Sequence, residues 1–183
     1  MNRQSKRILG LFARYLSLLL IGIGDLYLFY KLLTPITIKT TGTILSFFTE
    51  VTIMDNLILS KNVIIEIVPA CVAGAAFYLL LFLILSTAEM KPMKRFLALI
   101  TATAILLILN ISRIVFLASI TNTPYFQTVH WLFWNFISTI FVVAIWFFIV
   151  KICKIKSIPV YSDVIYLQSL INSGKKSKRR KKN

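Results

Sequence analysis

Three side chains in this sequence have the chemistry of an acyl-transfer site: Cys71 as nucleophile, His130 as acid and base, Arg113 as fixed positive charge. A thiolate attacks an acyl carbon and forms a thioester. A neutral histidine takes the thiol proton and later returns a proton to the leaving amine. Arginine stays charged and offers several N–H donors to the oxyanion of a tetrahedral intermediate. Asn110 lies one helical turn before Arg113, where it can orient the guanidinium or join the oxyanion site. Two carboxylates belong to the wider set. Glu66 can accept from His130 or Arg113 or stand solvated, and Asp25 can pair with Arg113 or tie the first helix to its neighbours.

Such a set works only if the chain brings distant positions together, and composition says how. Of 183 residues, 58% are hydrophobic and only six are acidic. Mean hydropathy is +0.82, which fits a polytopic membrane protein and not a soluble domain. The net charge of +15 collects at the ends of apolar runs and in a terminal tail, from Lys175 to Lys182. That distribution reads as a cytoplasmic orientation signal and a contact for anionic lipid headgroups, not as a nucleic-acid surface. With one histidine and no Cys-x-x-Cys, the chain has no metal-ligand cluster, and no cofactor is expected. Cys71 and Cys153 fall at opposite ends of different apolar runs, about 30 Å apart across a bilayer, so they cannot form a disulfide.

The hydropathy pattern predicts an all-α bundle of about four transmembrane helices over 8–30, 69–88, 96–119 and 129–150, with both termini cytoplasmic. Residues 1–156 form the transmembrane domain, with an extracytoplasmic loop over 31–68. Residues 157–183 form a cytoplasmic interfacial segment and polybasic tail. Arg14 sits near the inner end of the first span and can snorkel. Thr34, Thr37, Thr40, Thr41 and Thr43, with Pro35 and Gly42, argue against continuous helix in the first part of the loop. The β-branched run from Val63 to Val68 reads as extended, and Thr128 as the cap of the last span. The inner segments carry Lys91, Lys94, Arg95, Lys151, Lys154 and Lys156, while the outer loops hold only Lys31, Lys39 and Lys61. Positive residues on the inner side fix the orientation.

In that topology Cys71 begins the second span, Arg113 ends the third and His130 opens the fourth, so all three reach the outer face at one depth. Polar groups at such depth face a bundle interior or a water-filled cavity. Pro69 suits the first turn of a helix, placing Cys71 near the positive end of a helix dipole, which favours the thiolate. His130 at a helix start is expected to stay neutral. Each residue also has a plainer reading. Cys71 can be a small buried side chain, Arg113 a partner for Asp25 or Glu66, and His130 an interfacial residue beside Trp131 and Trp134.

Pro69-Ala70-Cys71 followed by small residues, Asn110-x-x-Arg113-Ile114 ending the next span, and His130 opening the last together resemble the exosortase/archaeosortase family, and within it the small archaeal branch called pacearchaeosortase. The resemblance covers about residues 60–150. It implies a membrane-embedded cysteine peptidase or transpeptidase in the cell membrane, its site facing outward, with Cys71 as nucleophile, Arg113 as oxyanion stabiliser and His130 as acid/base. It further implies secreted protein substrates carrying a C-terminal motif, a membrane helix and a basic cluster, cut near the motif and passed to a lipid or other amine acceptor. Many members follow the cysteine with Ser-Gly or Thr-Gly; here Val72-Ala73-Gly74 displaces the glycine by one and lacks the hydroxyl.

Two other classes compete. A membrane acid phosphatase is suggested by Ser112-Arg113 but needs a Pro-Ser-Gly-His element and a histidine close behind the arginine, and neither is present. A non-enzymatic membrane scaffold or small transporter would use the same polar residues to knit helices together.

Overall fold

The computed structural model describes residues 3–180 apart from Asp25, Asn62, Glu89 and Lys156. The chain is mostly helical. Helices α1 (Arg3–Ile23) and α2 (Tyr27–Ser46) lead into strands β1 (Val51–Met54), β2 (Leu57–Ser60) and β3 (Val63–Glu66). Then come a single turn, α3 (Pro69–Val72), and the longer α4 (Gly74–Leu85), α5 (Pro92–Ser119) and α6 (Phe126–Leu132). A π-helical stretch over Phe133–Ile137 joins α6 to α7 (Ser138–Cys153), and α8 (Tyr161–Arg180) follows.

Helix α5 is the spine. Ala98, Ala102, Leu106, Asn110, Ile114 and Leu117 recur every three or four residues and put one buried face against α4 and α7. Phe77, Leu80 and Ile84 of α4 and Val142, Ile145 and Ile149 of α7 complete that core. The side-chain bonds set the directions. Asn110 of α5 meets Cys71 just ahead of α4, and Arg95, near the start of α5, meets Thr87 just after α4, so the two helices are antiparallel. Arg113 meets Ser138 at the start of α7, and Ser157 beyond its end meets Ala88, so α7 is antiparallel to α5.

Two helices are long and apolar enough to cross a membrane, Pro92–Ser119 and Phe126–Cys153, each of 28 residues. They correspond to the third and fourth expected spans. The other two differ. The first apolar run breaks after Ile23: Leu26 adopts a left-handed backbone (φ 56°), and Tyr27 and Tyr30 belong to the next helix. The second breaks at Ala73 (φ 58°), which leaves α4 with 12 residues, about 18 Å of helix.

The expectation of an all-α chain is corrected by the three-stranded antiparallel sheet β1-β2-β3, in the register Val51↔Ser60 and Leu57↔Glu66. The loop expected over 31–68 is corrected as well: its first part is α2, helical through Pro35. Tertiary packing outweighs local propensity there. Leu33, Thr37, Ile38, Thr41 and Leu45 fall on one buried face, and Thr37 and Thr41 are wholly inaccessible. Gly42 lets β1 lie close on this helix, because a Cβ there would stand 2.6 Å from Ile53 Cδ1. The extended reading of Val63–Val68 corresponds to β3.

Arg14 does not snorkel to solvent. Its guanidinium donates to the carbonyls of Leu85 (3.0 Å) and Thr87 (3.2 Å) and pairs with Asp163 of α8 at 3.2 Å. Tyr15 donates to the same carboxylate. The start of the segment expected to be interfacial, after residue 156, is thereby fastened to the helices before it, with the Val160 N–H bonded to the Ser86 carbonyl.

Candidate functional site

Cys71 lies in the single turn α3, not in the first turn of a long helix as expected. The chain turns left-handed at Ala73, and the long helix dipole starts only at Gly74. The dipole contribution expected at Cys71 therefore belongs to the residues after it. The Cys71 side chain is half-buried, with Sγ 3.9 Å from the Glu66 carbonyl oxygen. Its own carbonyl accepts from Asn110 Nδ2 at 2.8 Å, and Asn110 is 3% exposed.

One helical turn further along α5, Arg113 donates from Nη1 to Ser138 Oγ at 2.9 Å, and Ser138 donates in turn to the Phe133 carbonyl at 2.8 Å. That carbonyl also accepts the backbone N–H of Ser138, the wide bond that closes the π-helical turn. Arg113 Nε is buried with no partner among the described residues.

Arg113 and the start of α4 share a cavity of about 470 Å³, walled also by Tyr30, Trp134 and Ser138. Ala73, Gly74, Ala75 and Ala76 form one side. The first N–H groups of a helix have no partner within it; at this wall those are the N–H groups of Gly74 and Ala75, while the Ala76 N–H is bonded to the Ala73 carbonyl at 2.9 Å. Gly74 is needed for this shape: a Cβ there would lie 2.7 Å from the Tyr30 ring. A negative oxygen placed in the cavity would meet donors from two elements.

The expected site residues are not all gathered here. Cys71 and Arg113 stand on adjoining elements, and Asn110 braces the backbone of Cys71 rather than Arg113. The cavity walls include neither the Cys71 side chain nor His130, although they include Ala70 and Ala73 on either side of Cys71 and Trp134 four residues beyond His130. His130 does not open its helix, which starts earlier than Thr128 would cap it, at Phe126; its ring stacks on Phe126 with centroids 5.7 Å apart. The Glu66 carboxylate accepts from Asn56 within the sheet at 3.2 Å, so its described bond goes neither to His130 nor to Arg113. Asp25 lies outside the described residues.

Sequence reasoning missed Ser138 and Tyr30. The signal for Ser138 is a hydroxyl pair, Ser138-Thr139, inside an otherwise apolar run; such groups within a span need a partner. For Tyr30 the sequence offers no signal, because a tyrosine at the end of an apolar run suits a membrane interface equally well. Compared with family models, with curated proteins and with solved structures, the chain matches none.

Proposed function

We propose that the chain is a membrane-embedded cysteine peptidase or transpeptidase of the exosortase/archaeosortase type, with Cys71, Arg113 and His130 at an outward-facing site. The observation that carries this reading is the cavity in which Arg113 faces the start of α4, directly after the turn that holds Cys71. A second feature supports it. The family's pattern has its glycine at the position of Ala73, and Ala73 has the left-handed backbone (φ 58°) that glycine adopts most readily.

In this reading the chain crosses the membrane four times, through α1, α3–α4, α5 and α6–α7, with both termini cytoplasmic. Outward-facing apolar side chains on the two long helices, such as Ile108 (64% exposed) and Phe147 (65%), fit a lipid surround. Cys71 gives its proton to His130 and attacks the scissile carbonyl carbon. The oxyanion rests on Arg113 and the α4 N–H groups. The C–N bond then breaks, and the leaving amine takes the proton from His130. An acceptor amine or water attacks the thioester, its proton passes through His130, and the Cys71 thiol is restored. For this sequence Sγ must leave the Glu66 carbonyl and His130 must leave its stack on Phe126. The substrates are secreted proteins with a C-terminal motif, a membrane helix and a basic cluster; the acceptor is a lipid or other amine.

The scaffold or small-transporter reading has its own support: Asn110–Cys71 and Arg113–Ser138–Phe133 are bonds that knit helices. One experiment separates the two. The chain is expressed with a C-terminally anchored substrate, and a hydroxylamine-sensitive adduct is sought in wild type, Cys71→Ala, Arg113→Ala and His130→Ala. An adduct lost with Cys71→Ala establishes the thioester. Normal substrate processing by Cys71→Ala leaves the scaffold.

A further inference from the structure

The opposite end of the bundle carries a second cavity. Where α4 hands over to α5 and α7 ends, a cavity of about 260 Å³ is lined by Lys91, Lys94 and Lys154 together with the apolar Ala88, Met90 and Ile155. The lysines come from two separate chain segments. Lys154 reaches the cavity because the chain turns left-handed there, φ 51° and ψ 48°, as α7 stops. Helix α5 begins at the same place with Pro92 in its first turn, no side-chain cap and no acidic residue in that turn. Its first N–H groups therefore add positive potential beside Lys91 and Lys94.

Nothing described in the wall offsets that charge. Asp163, the buried carboxylate at this end, is taken up by Arg14 and Tyr15. Ser157, also in the wall, spends its hydroxyl on the Ala88 carbonyl. Glu89 lies outside the described residues. Three ammonium groups and a helix start call for an anion with several acceptor oxygens. The apolar residues among them call for the anion to be attached to something greasy.

We infer that Lys91, Lys94 and Lys154 form a binding site for the phosphate of an anionic phospholipid, at the membrane surface that the starts of α5 and α8 share. The inference rests on the membrane reading of the chain and is independent of the chemistry at Cys71. A phospholipid satisfies both sets of residues at once, its phosphate on the lysines and its glycerol backbone against Met90 and Ile155. Basic pockets between helices at the cytoplasmic side of a membrane suit such headgroups.

The test uses the full chain in nanodiscs of phosphatidylcholine doped with phosphatidylglycerol, with bound lipid counted by native mass spectrometry. Wild type is expected to retain phosphatidylglycerol in preference to phosphatidylcholine. The triple variant Lys91→Gln, Lys94→Gln, Lys154→Gln is expected to bind it at least about tenfold more weakly. The triple change to arginine at these positions keeps the charge and is expected to keep the preference. If the triple glutamine variant does not fold, Lys154→Gln alone still serves, with a loss of several-fold. Equal retention by wild type and the glutamine variants overturns the site. Loss of the preference when Lys175, Lys176 and Lys178 are changed to Gln, with the cavity intact, also overturns it by moving the binding to the tail. Displacement by equimolar free glycerol phosphate overturns the lipid as its source. Failure of the chain to stay in membranes after carbonate extraction would instead strike the membrane reading; a stable but unselective chain strikes only the lipid site.

Discussion

The side-chain amide of Asn110 donates across 2.8 Å to the main-chain carbonyl of Cys71, and so ties the middle of the spine helix to the turn that carries the thiol. The bond is local in space and distant in sequence. It answers a specific need: α3 ends after four residues, so its carbonyls lose the helical N–H partners that a longer helix would supply.

Removing that donor leaves a buried carbonyl unpaired. Asn110→Ala is therefore expected to lower stability by about 1–3 kcal/mol. Thermal unfolding in detergent, followed by circular dichroism, reads this directly. An unchanged midpoint would mean that water or another group replaces the amide.

Arg113 is aimed by Ser138, which accepts from the guanidinium while donating to Phe133. On the enzyme reading, Arg113→Lys lowers turnover by about 10²–10³-fold, because an ammonium is a point charge and cannot keep two directed donors in place. Ser138→Ala is expected to lower kcat by about tenfold with KM little changed, since it disturbs aim and not charge. Equal activity of Ser138→Ala and wild type would show that Arg113 is held by something else.

The break between α3 and α4 gives paired predictions at neighbouring positions. Ala73→Gly relieves a left-handed backbone and is expected to stabilise the fold by about 1 kcal/mol. Gly74→Ala gains about 1 kcal/mol of helix propensity but drives a methyl into the Tyr30 ring, an overpacking cost of about 1–3 kcal/mol. The clash wins, so the net effect is destabilising, and Tyr30→Leu is expected to rescue it. Denaturation midpoints of the two single variants and the double variant decide the matter.

Arg14 and Asp163 are 17% and 8% exposed, so each shields the other from an uncompensated buried charge. Asp163→Ala is expected to destabilise by about 3 kcal/mol. The pair Arg14→Leu with Asp163→Leu is expected to recover much of this, because an apolar pair leaves no orphan charge. A double-mutant cycle measures the coupling; a coupling near zero would show that the Leu85 and Thr87 carbonyls hold Arg14 by themselves.

The sequence made the two long helices plain, because Phe96–Ser119 and Val129–Val150 are long, predominantly apolar runs. It concealed α2, since Thr37 and Thr41 look like loop residues until something packs over them. It concealed the break at Ala73 too. An alanine carries no signal of left-handed backbone. Cys71 and Arg113 could be placed on adjoining elements from helix direction alone. The position of His130 depended on where its helix starts, and boundaries are the weakest part of any periodicity reading. The bond of Arg113 to Ser138 depends on a π-helical turn, which no hydrophobic repeat encodes.

The ion pair between α1 and α8 also fixes an order of events during synthesis. Arg14 leaves the ribosome early, and its carboxylate partner follows 149 residues later. Until then its described partners are main-chain carbonyls alone, those of Gly10, Leu85 and Thr87. A chain stalled or truncated before residue 163 thus carries a positive charge, part-way along its first apolar helix, that nothing has yet neutralised.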